Sequence, residues 1–457
     1  MTGQKEKLLF LSVMLITFMI GFDTTGLGVA IPSIATNLGF GVKDGAWLSV
    51  AYTAGFAAFL LPSGIITDKY GFRLTLLPAL MVFVVTSVYS AYSESLTSFT
   101  LVRLLQGISA AFLNTSAMAL LNLLYPPGGT KDRAGAFKKW SMFLGMSFAL
   151  GPILGSLIVS WASWQWIMFI NIPLGLVVLI PFISSTGVDK GKSVALGKAP
   201  LLSTLPATVI LLVITLMQFI NQVASAKGSS ALPVAIVLCL LVLVFMHIYY
   251  PRTFTRLPEL KNGYFLASLL LPVIFSVSYW SLFVTLPGYL ALRLAYDPLH
   301  IMLAMLCLSA PLTLFPLLKL QERLRLNASL GFVFLTAGLL ALSWLFSTGT
   351  TAADIPLAVT LVIMGCGAAI LNPIMARVVM DNVAAENSGL AAAITSTLRQ
   401  TGFALGVTFY SLMTQAGFSG ITLTETDAFI CSATLPLFAL LICLAVNRRS
   451  QLLSRAH

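Results

Sequence analysis

The stretch "QGISAAFLN" (residues 106–114) returns as "MGCGAAILN" (residues 364–372). Gly107, Ala110, Ala111, Leu113 and Asn114 line up without a gap against Gly365, Ala368, Ala369, Leu371 and Asn372. One apolar run further on, "FALG" (148–151) returns as "FALG" (403–406) at a nearly equal offset. Small-residue helices resemble one another, so either match alone is weak. Two matches at one spacing, in consecutive runs, point to duplicated halves.

Composition says what kind of chain carries the duplication. It is 58% hydrophobic and 9% charged, with a mean hydropathy of +0.95. A soluble domain carries about 25% charged residues. The chain therefore reads as an all-α membrane protein with many spans and no large soluble domain. The five cysteines (Cys239, Cys307, Cys366, Cys431, Cys443) fall inside apolar runs with no CxxC spacing, and read as free thiols that fill space. Lys5 and Lys7 precede an apolar run too long for a signal-peptide core, so that run reads as a retained first span.

A bilayer core needs about 20 apolar helical residues. With that window the runs are 8–30, 46–66, 73–92, 98–123, 139–160, 165–185, 202–222, 231–250, 264–290, 300–318, 328–347, 355–376, 388–414 and 428–446, which makes fourteen. An even number puts both termini on one side. Of the 26 lysines and arginines, Lys43, Lys227 and Arg293 fall on the far side, and Arg103 and Arg399 fall inside runs. All the others lie on the side of the termini, which is therefore expected to be cytoplasmic. The net charge of +11 is thus topogenic, and a nucleic-acid partner is not expected. The repeats occupy the fourth and fifth runs, and again the twelfth and thirteenth. This predicts an N-terminal six-helix half over 1–186, two inserted transmembrane helices over 187–262 and a C-terminal six-helix half over 263–457. Duplicated six-span halves are a transporter design, with the substrate held between them near the midplane.

Four further strings carry chemistry. "GIITDKYGFR" holds Gly64, Asp68, Gly71 and Arg73 in the loop after the second run. Glycines permit a tight turn there, and Asp68 can accept a hydrogen bond or ion pair from a neighbouring helix end and latch one face. "LVRLLQGISAAFLN" buries Arg103, whose guanidinium needs a partner or a wet cavity. "GMSFALGPILGS" sets Gly145, Gly151, Pro152 and Gly155 in one run; the glycines allow close helix approach and the proline removes a backbone donor. "WQWIMFINIPLG" (164–175) places tryptophans that suit a membrane interface, and "STLRQTGFALG" places Arg399 and Gln400 deep in a run.

Together these strings resemble the major facilitator superfamily and, within it, the fourteen-span drug:proton antiporter family. Asp68 lies in a loop similar to the superfamily's G-x-x-x-D-x-x-G-x-R; the corresponding loop of the second half, "KLQERLRLN", lacks its glycines and aspartate. Arg103 and Gly107 resemble the family's R-x-x-x-G, which implies an arginine near the proton-carrying acid. The glycine–proline string resembles the exporter signature G-x(5)-G-P-x-x-G, which favours export over proton-coupled import. The tryptophan string resembles W-x-W-I-F-x-I-N-x-P, and "RQTG" resembles R-Q-x-G.

Placing every acid leaves Asp23 alone in the membrane interior. A carboxylate there costs roughly 2.5–3.5 kcal/mol on insertion scales. "DTTGLGVAIP" resembles the family's D-x-T-x-x-N-x-A-x-P through Asp23, Thr25, Ala30 and Pro32, and departs from it at Gly28. Asp23 is therefore expected to carry the proton, with Arg103 modulating it. Tyr52, Phe56, Asn114, Tyr279, Trp280, Phe283, Asn372, Met375, Arg399 and Gln400 are the candidate substrate contacts, a set that suits an amphipathic or aromatic solute. Two intramembrane arginines also suit an anionic metabolite such as a siderophore. No nucleophile–base set, metal-ligand cluster or nucleotide loop is present, so an enzyme is not expected. No cofactor is expected beyond the proton gradient. The expected partners are a small molecule, protons and the lipid bilayer, and the expected state is a monomer in a bacterial inner membrane.

Overall fold

A computed structural model describes residues 3–41, 44–125, 132–183, 263–318, 327–348, 354–378, 398–403, 405–407, 409–410, 417–418, 421–422 and 425–454. The inserted spans expected within 187–262, and most of the run 388–414, lie outside these residues. The described residues are almost wholly helical, and nine of their helices are long and apolar enough to cross a membrane. Two further apolar helices, Trp47–Leu60 and Phe429–Cys443, are shorter. Helices satisfy every backbone polar group within the segment, which is what hydrocarbon demands.

In the first part of the chain α1 runs Gly3–Leu38, α2 Ala46–Tyr70, α3 Phe72–Ala91, α4 Leu96–Leu124 and α5 Arg133–Trp161. The sixth apolar run carries α6 (Gln165–Phe169) and α7 (Asn171–Ile183), which join at Ile170 with helical backbone angles and make one crossing. Hydropathy marks where lipid is, not where a helix stops. Accordingly α1 extends beyond the expected 8–30 at both ends, through polar residues that sustain helix without entering hydrocarbon. Caps explain several starts. Ser95 Oγ accepts from Ser98 N at 3.2 Å to open α4. Asp132 Oδ1 accepts from Gly135 N at 2.8 Å to open α5. Gly71 turns the chain between α2 and α3 with φ +85° and ψ 153°, a conformation open in practice to glycine alone.

Later in the chain come α8 (Gly263–Phe275), a π-helical turn over Ser276–Trp280, α9 (Leu282–Arg293), α10 (Pro298–Leu317), α11 (Ala328–Thr348), α12 (Asp354–Val378) and α13 (Glu425–Ser454). A two-stranded hairpin pairs Gly417 with Thr422 and Phe418 with Ile421. The single helix expected over 264–290 is thus interrupted at its aromatic centre, and its last helix runs on past 446.

The chain gathers into two compact units, Met1–Gly151 with Ile158–Arg256, and Pro152–Leu157 with Leu257–His457. In the first, α4 packs against α2, α3 and α1, and α1 also packs on α7. Gly107 makes the α2–α4 approach possible: a Cβ there would strike the Tyr52 backbone carbonyl. Gly151 does the same for α1, lying against Thr25 and Gly26. In the second unit α11 packs on α12 and α13, and α10 on α12. Cys307, Cys366, Cys431 and Cys443 are free thiols; Cys239 lies outside the described residues.

Candidate functional site

In the first unit the inward faces of α1, α2, α3, α4 and α7 meet on Asp23. Asp23 and Arg103 are both wholly buried, and Arg103 Nη1 donates to Asp23 Oδ2 at 2.5 Å. Arg103 Nη2 also donates to the Asp23 backbone carbonyl at 3.2 Å. The guanidinium is held on its other edges as well. Its Nε donates to the Leu48 carbonyl at 3.4 Å, and Nη1 also donates to Gln106 Oε1 at 2.8 Å. Its plane lies over the Tyr52 ring, 4.3 Å from the centroid. The Tyr52 hydroxyl in turn donates to the Ile20 carbonyl at 3.5 Å.

The second carboxylate oxygen is served by neutral amides. Gln106 Nε2 donates to Asp23 Oδ1 at 3.2 Å, and Asn171 Nδ2 donates to it at 3.3 Å. Asn171 Nδ2 also donates to Ser87 Oγ at 2.9 Å, and Ser87 Oγ donates to the Met168 carbonyl at 2.9 Å. Asp23 thus accepts from three side chains, an arrangement that fits an ionised carboxylate. A buried charge pair persists only where geometry and additional hydrogen bonds offset its desolvation. Here the sequence supplies both from helix spacing: Arg103 and Gln106 are three residues apart and lie on one face of α4.

Sequence reasoning picked out Asp23, Arg103 and Tyr52 from this cluster, and the structure brings them together. It missed Gln106, Ser87 and Asn171. Neutral polar residues carry no burial cost large enough to flag them. Asn171 stood within the quoted tryptophan string, and its place just before Pro173 at a helix start was the available signal. Phe56 packs against Tyr52 with ring centroids 6.4 Å apart, and Asn114 lies half-buried on α4.

The remaining candidates of α2, α3 and α5 sit elsewhere. Gly64 makes only ordinary contact with Thr115. Arg73 Nη2 donates to the Phe182 carbonyl at 2.9 Å, capping the end of α7. The Asp68 side chain lies outside what is described. Gly145 has open space where a Cβ would stand, whereas Gly151 is packed hard against α1; Pro152 and Gly155 are buried within a continuous α5.

In the second unit the π turn and its flanks assemble four aromatics. Phe275 and Tyr279 stack at 5.8 Å, Trp280 stands edge-on to Tyr279 at 5.4 Å, and Phe283 lies 5.5 Å from both Tyr279 and Trp280. All four are buried, and the Tyr279 hydroxyl donates to the Leu308 carbonyl at 2.8 Å. Arg399 lies 5.8 Å over the Trp280 ring, and its Nη2 donates to Asn372 Oδ1 at 3.2 Å. Met375 is wholly buried and Gln400 half-buried. No group of three or more potential metal ligands occurs among the described residues.

Apolar helices of spanning length, with a charge pair sealed among five of them, define an integral multi-pass membrane protein. The chain belongs to the Major Facilitator Superfamily, whose family model matches residues 13–407. It is 28% identical over 420 residues to the uncharacterized transporter YebQ of Escherichia coli, covering 87% of this chain and 88% of that one. It is 34% identical over 170 residues to the tetracenomycin C resistance and export protein of Streptomyces glaucescens, covering 37% of this chain and 31% of that one. It is 34% identical over 173 residues to the multidrug export protein EmrB of Haemophilus influenzae, covering 38% and 33%. The chain therefore spans about a third of the length of these two export proteins. A solved POT family transporter in complex with 5-aminolevulinic acid shares the fold at 16% identity, with a TM-score of 0.73 over 98% of this chain and 96% of that one.

Proposed function

We propose that this chain is a proton-coupled exporter of small amphipathic compounds, of the multidrug efflux type, working by alternating access in the bacterial inner membrane. The observation that carries this reading is the sealed Asp23–Arg103 pair, the one wholly buried acid among the described residues, held by one cation and two neutral amides. Asp23 takes a proton from outside, and the change of charge weakens its hold on Arg103. The bundle then rocks and the proton leaves to the cytoplasm as substrate moves out. The export names of the relatives support the direction, as does the glycine–proline string of α5. Fourteen spans, cytoplasmic termini, two six-helix halves flanking an inserted helix pair and a monomeric state belong to the same proposal.

The aromatic set around the π turn suits an amphipathic solute. A second reading is export of an anionic metabolite such as a siderophore. It is favoured by Arg399, which among the described residues has Asn372 and Trp280 beside it and no carboxylate. Inside-out vesicles with an imposed pH gradient, screened with cationic drugs beside carboxylate-bearing metabolites, test both readings. Gradient-driven uptake of a cationic or neutral amphipathic compound that Asp23→Asn abolishes supports the first, and uptake restricted to anions supports the second. Uptake undiminished in Asp23→Asn contradicts the coupling.

A further inference from the structure

We infer that Asn171 is a positioning residue that reads the charge state of Asp23 by reversing its amide, and passes the result to the junction of α6 and α7. The inference rests on the reading of Asp23 as the proton site. Its starting point is a hydrogen-bond imbalance. Asn171 is wholly buried and its Nδ2 serves two acceptors, yet its Oδ1 is buried without a hydrogen-bond partner among the described residues. A buried amide normally finds partners for its oxygen.

The two carboxylate oxygens of Asp23 are not equivalent. Oδ2 is held by the Arg103 guanidinium at 2.5 Å. Oδ1 accepts only two longer bonds from neutral amides, at 3.2 and 3.3 Å. A proton from solvent therefore goes to Oδ1, which then becomes a donor facing two donors. Gln106 cannot turn to accept it, because its Oε1 already accepts from Arg103 Nη1 at 2.8 Å. Asn171 can, because its oxygen is free. Turning the amide about its terminal bond presents Oδ1 to the new Asp23 O–H.

The same turn removes the Nδ2 donor from Ser87. The Ser87 hydroxyl, which donates to the Met168 carbonyl at 2.9 Å, is then drawn to Asn171 Oδ1. Met168 lies in α6, two residues before the junction at Ile170. Its carbonyl loses a side-chain donor just where α6 joins α7. The turned amide also leaves its NH2 unpaired where the oxygen had been, so this conformation favours ionised Asp23 and protonation biases the first unit away from it. Arg103 from α4 and Tyr52 from α2 are the charged and titratable groups facing Asp23 among the described residues. The α3, α5 and α7 helices contribute Ser87, Gly151 and Asn171, which are neutral, so no other titration competes for the role.

The test is difference infrared spectroscopy of the full chain in detergent through an acid step. Wild type is expected to gain a protonated-carboxyl band that Asp23→Asn lacks. A change in side-chain amide carbonyl absorption accompanies it, and Asp23→Asn lacks that too. In Asn171→Leu the carboxyl band shifts, since its O–H has lost the acceptor. In Ser87→Ala the carboxyl band stays in place while the acid-induced amide change is altered, since Asn171 Nδ2 has lost its Ser87 acceptor; an amide change identical to wild type overturns the link from Asn171 to Ser87. A carboxyl band unmoved in Asn171→Leu overturns the inference, as does a wild-type amide that ignores the acid step. Absence of any Asp23-dependent carboxyl band overturns the proton reading itself, and the inference with it.

Discussion

Asp23 and Arg103 are legible in the sequence because each is a charge where charge is expensive. Their partners are not. Gln106, Ser87 and Asn171 are ordinary polar residues, and Asn171 reaches Asp23 from 148 positions along the chain. Only the fold puts them in one place. The pairing makes a prediction at this scale. Arg103→Gln leaves an uncompensated buried carboxylate, and breaking such a pair from one side costs about 3–5 kcal/mol. Asp23→Asn combined with Arg103→Gln is expected to cost less than the sum of the single changes, as read by a double-mutant cycle of thermal unfolding in detergent. Additive costs would mean that the two side chains do not hold one another. Outside the membrane, the Tyr296 hydroxyl donates to Asp354. Burial, helped by that bond and by the Asp354 charge, pushes Tyr296 up to about 12 from an ordinary 10.0. The stability it adds is complete below the ordinary value and is lost as pH rises through the shifted one. Absorbance titration is expected to lose one late-titrating tyrosine in Tyr296→Phe; a titration curve unchanged by the substitution contradicts the assignment.

At the scale of the element, hydropathy predicts which stretches cross the bilayer but not how they end or break. The sixth run interrupts its hydrogen-bond ladder at Ile170, just ahead of Pro173, which has no N–H to give, and the ninth passes through a π turn at Ser276–Trp280. A span-length window over either stretch keeps a mean hydropathy of 1.9, so neither feature is visible to it. The glycine pattern was more informative, yet not every glycine in a motif does the same work. At Gly107 a Cβ would meet the Tyr52 carbonyl, a backbone atom that cannot rotate aside. At Gly145 a Cβ would meet nothing within 4 Å. Gly107→Ala is therefore expected to destabilise by about 1–3 kcal/mol, the usual cost of overpacking. Gly145→Ala is expected to be neutral or to stabilise by up to about 1 kcal/mol, through helix propensity. Thermal midpoints of the two variants, compared with wild type, check the contrast. A Gly107→Ala midpoint equal to that of Gly145→Ala would show that α2 and α4 are not in close contact there.

At the scale of the whole molecule, the duplicated strings and the count of apolar runs led to a transporter fold, and the family match over residues 13–407 agrees. The first unit holds its acid and its base together as a neutral pair, while Arg399 of the second unit lies with an aromatic face and an amide. A charge paired in one unit and a charge set beside an aromatic face and an amide in the other is a difference that no single motif predicts, because it depends on which partner each charge finds after folding. The central claim is that substrate export and proton entry are one event passing through Asp23. Vesicles containing the purified chain and an entrapped pH indicator, given an exported substrate without any imposed gradient, test it most directly. Wild type is predicted to move protons against the substrate as soon as the substrate is added, and Asp23→Asn to move none. Substrate movement without proton movement in wild type, or equal proton movement in Asp23→Asn, would contradict the account.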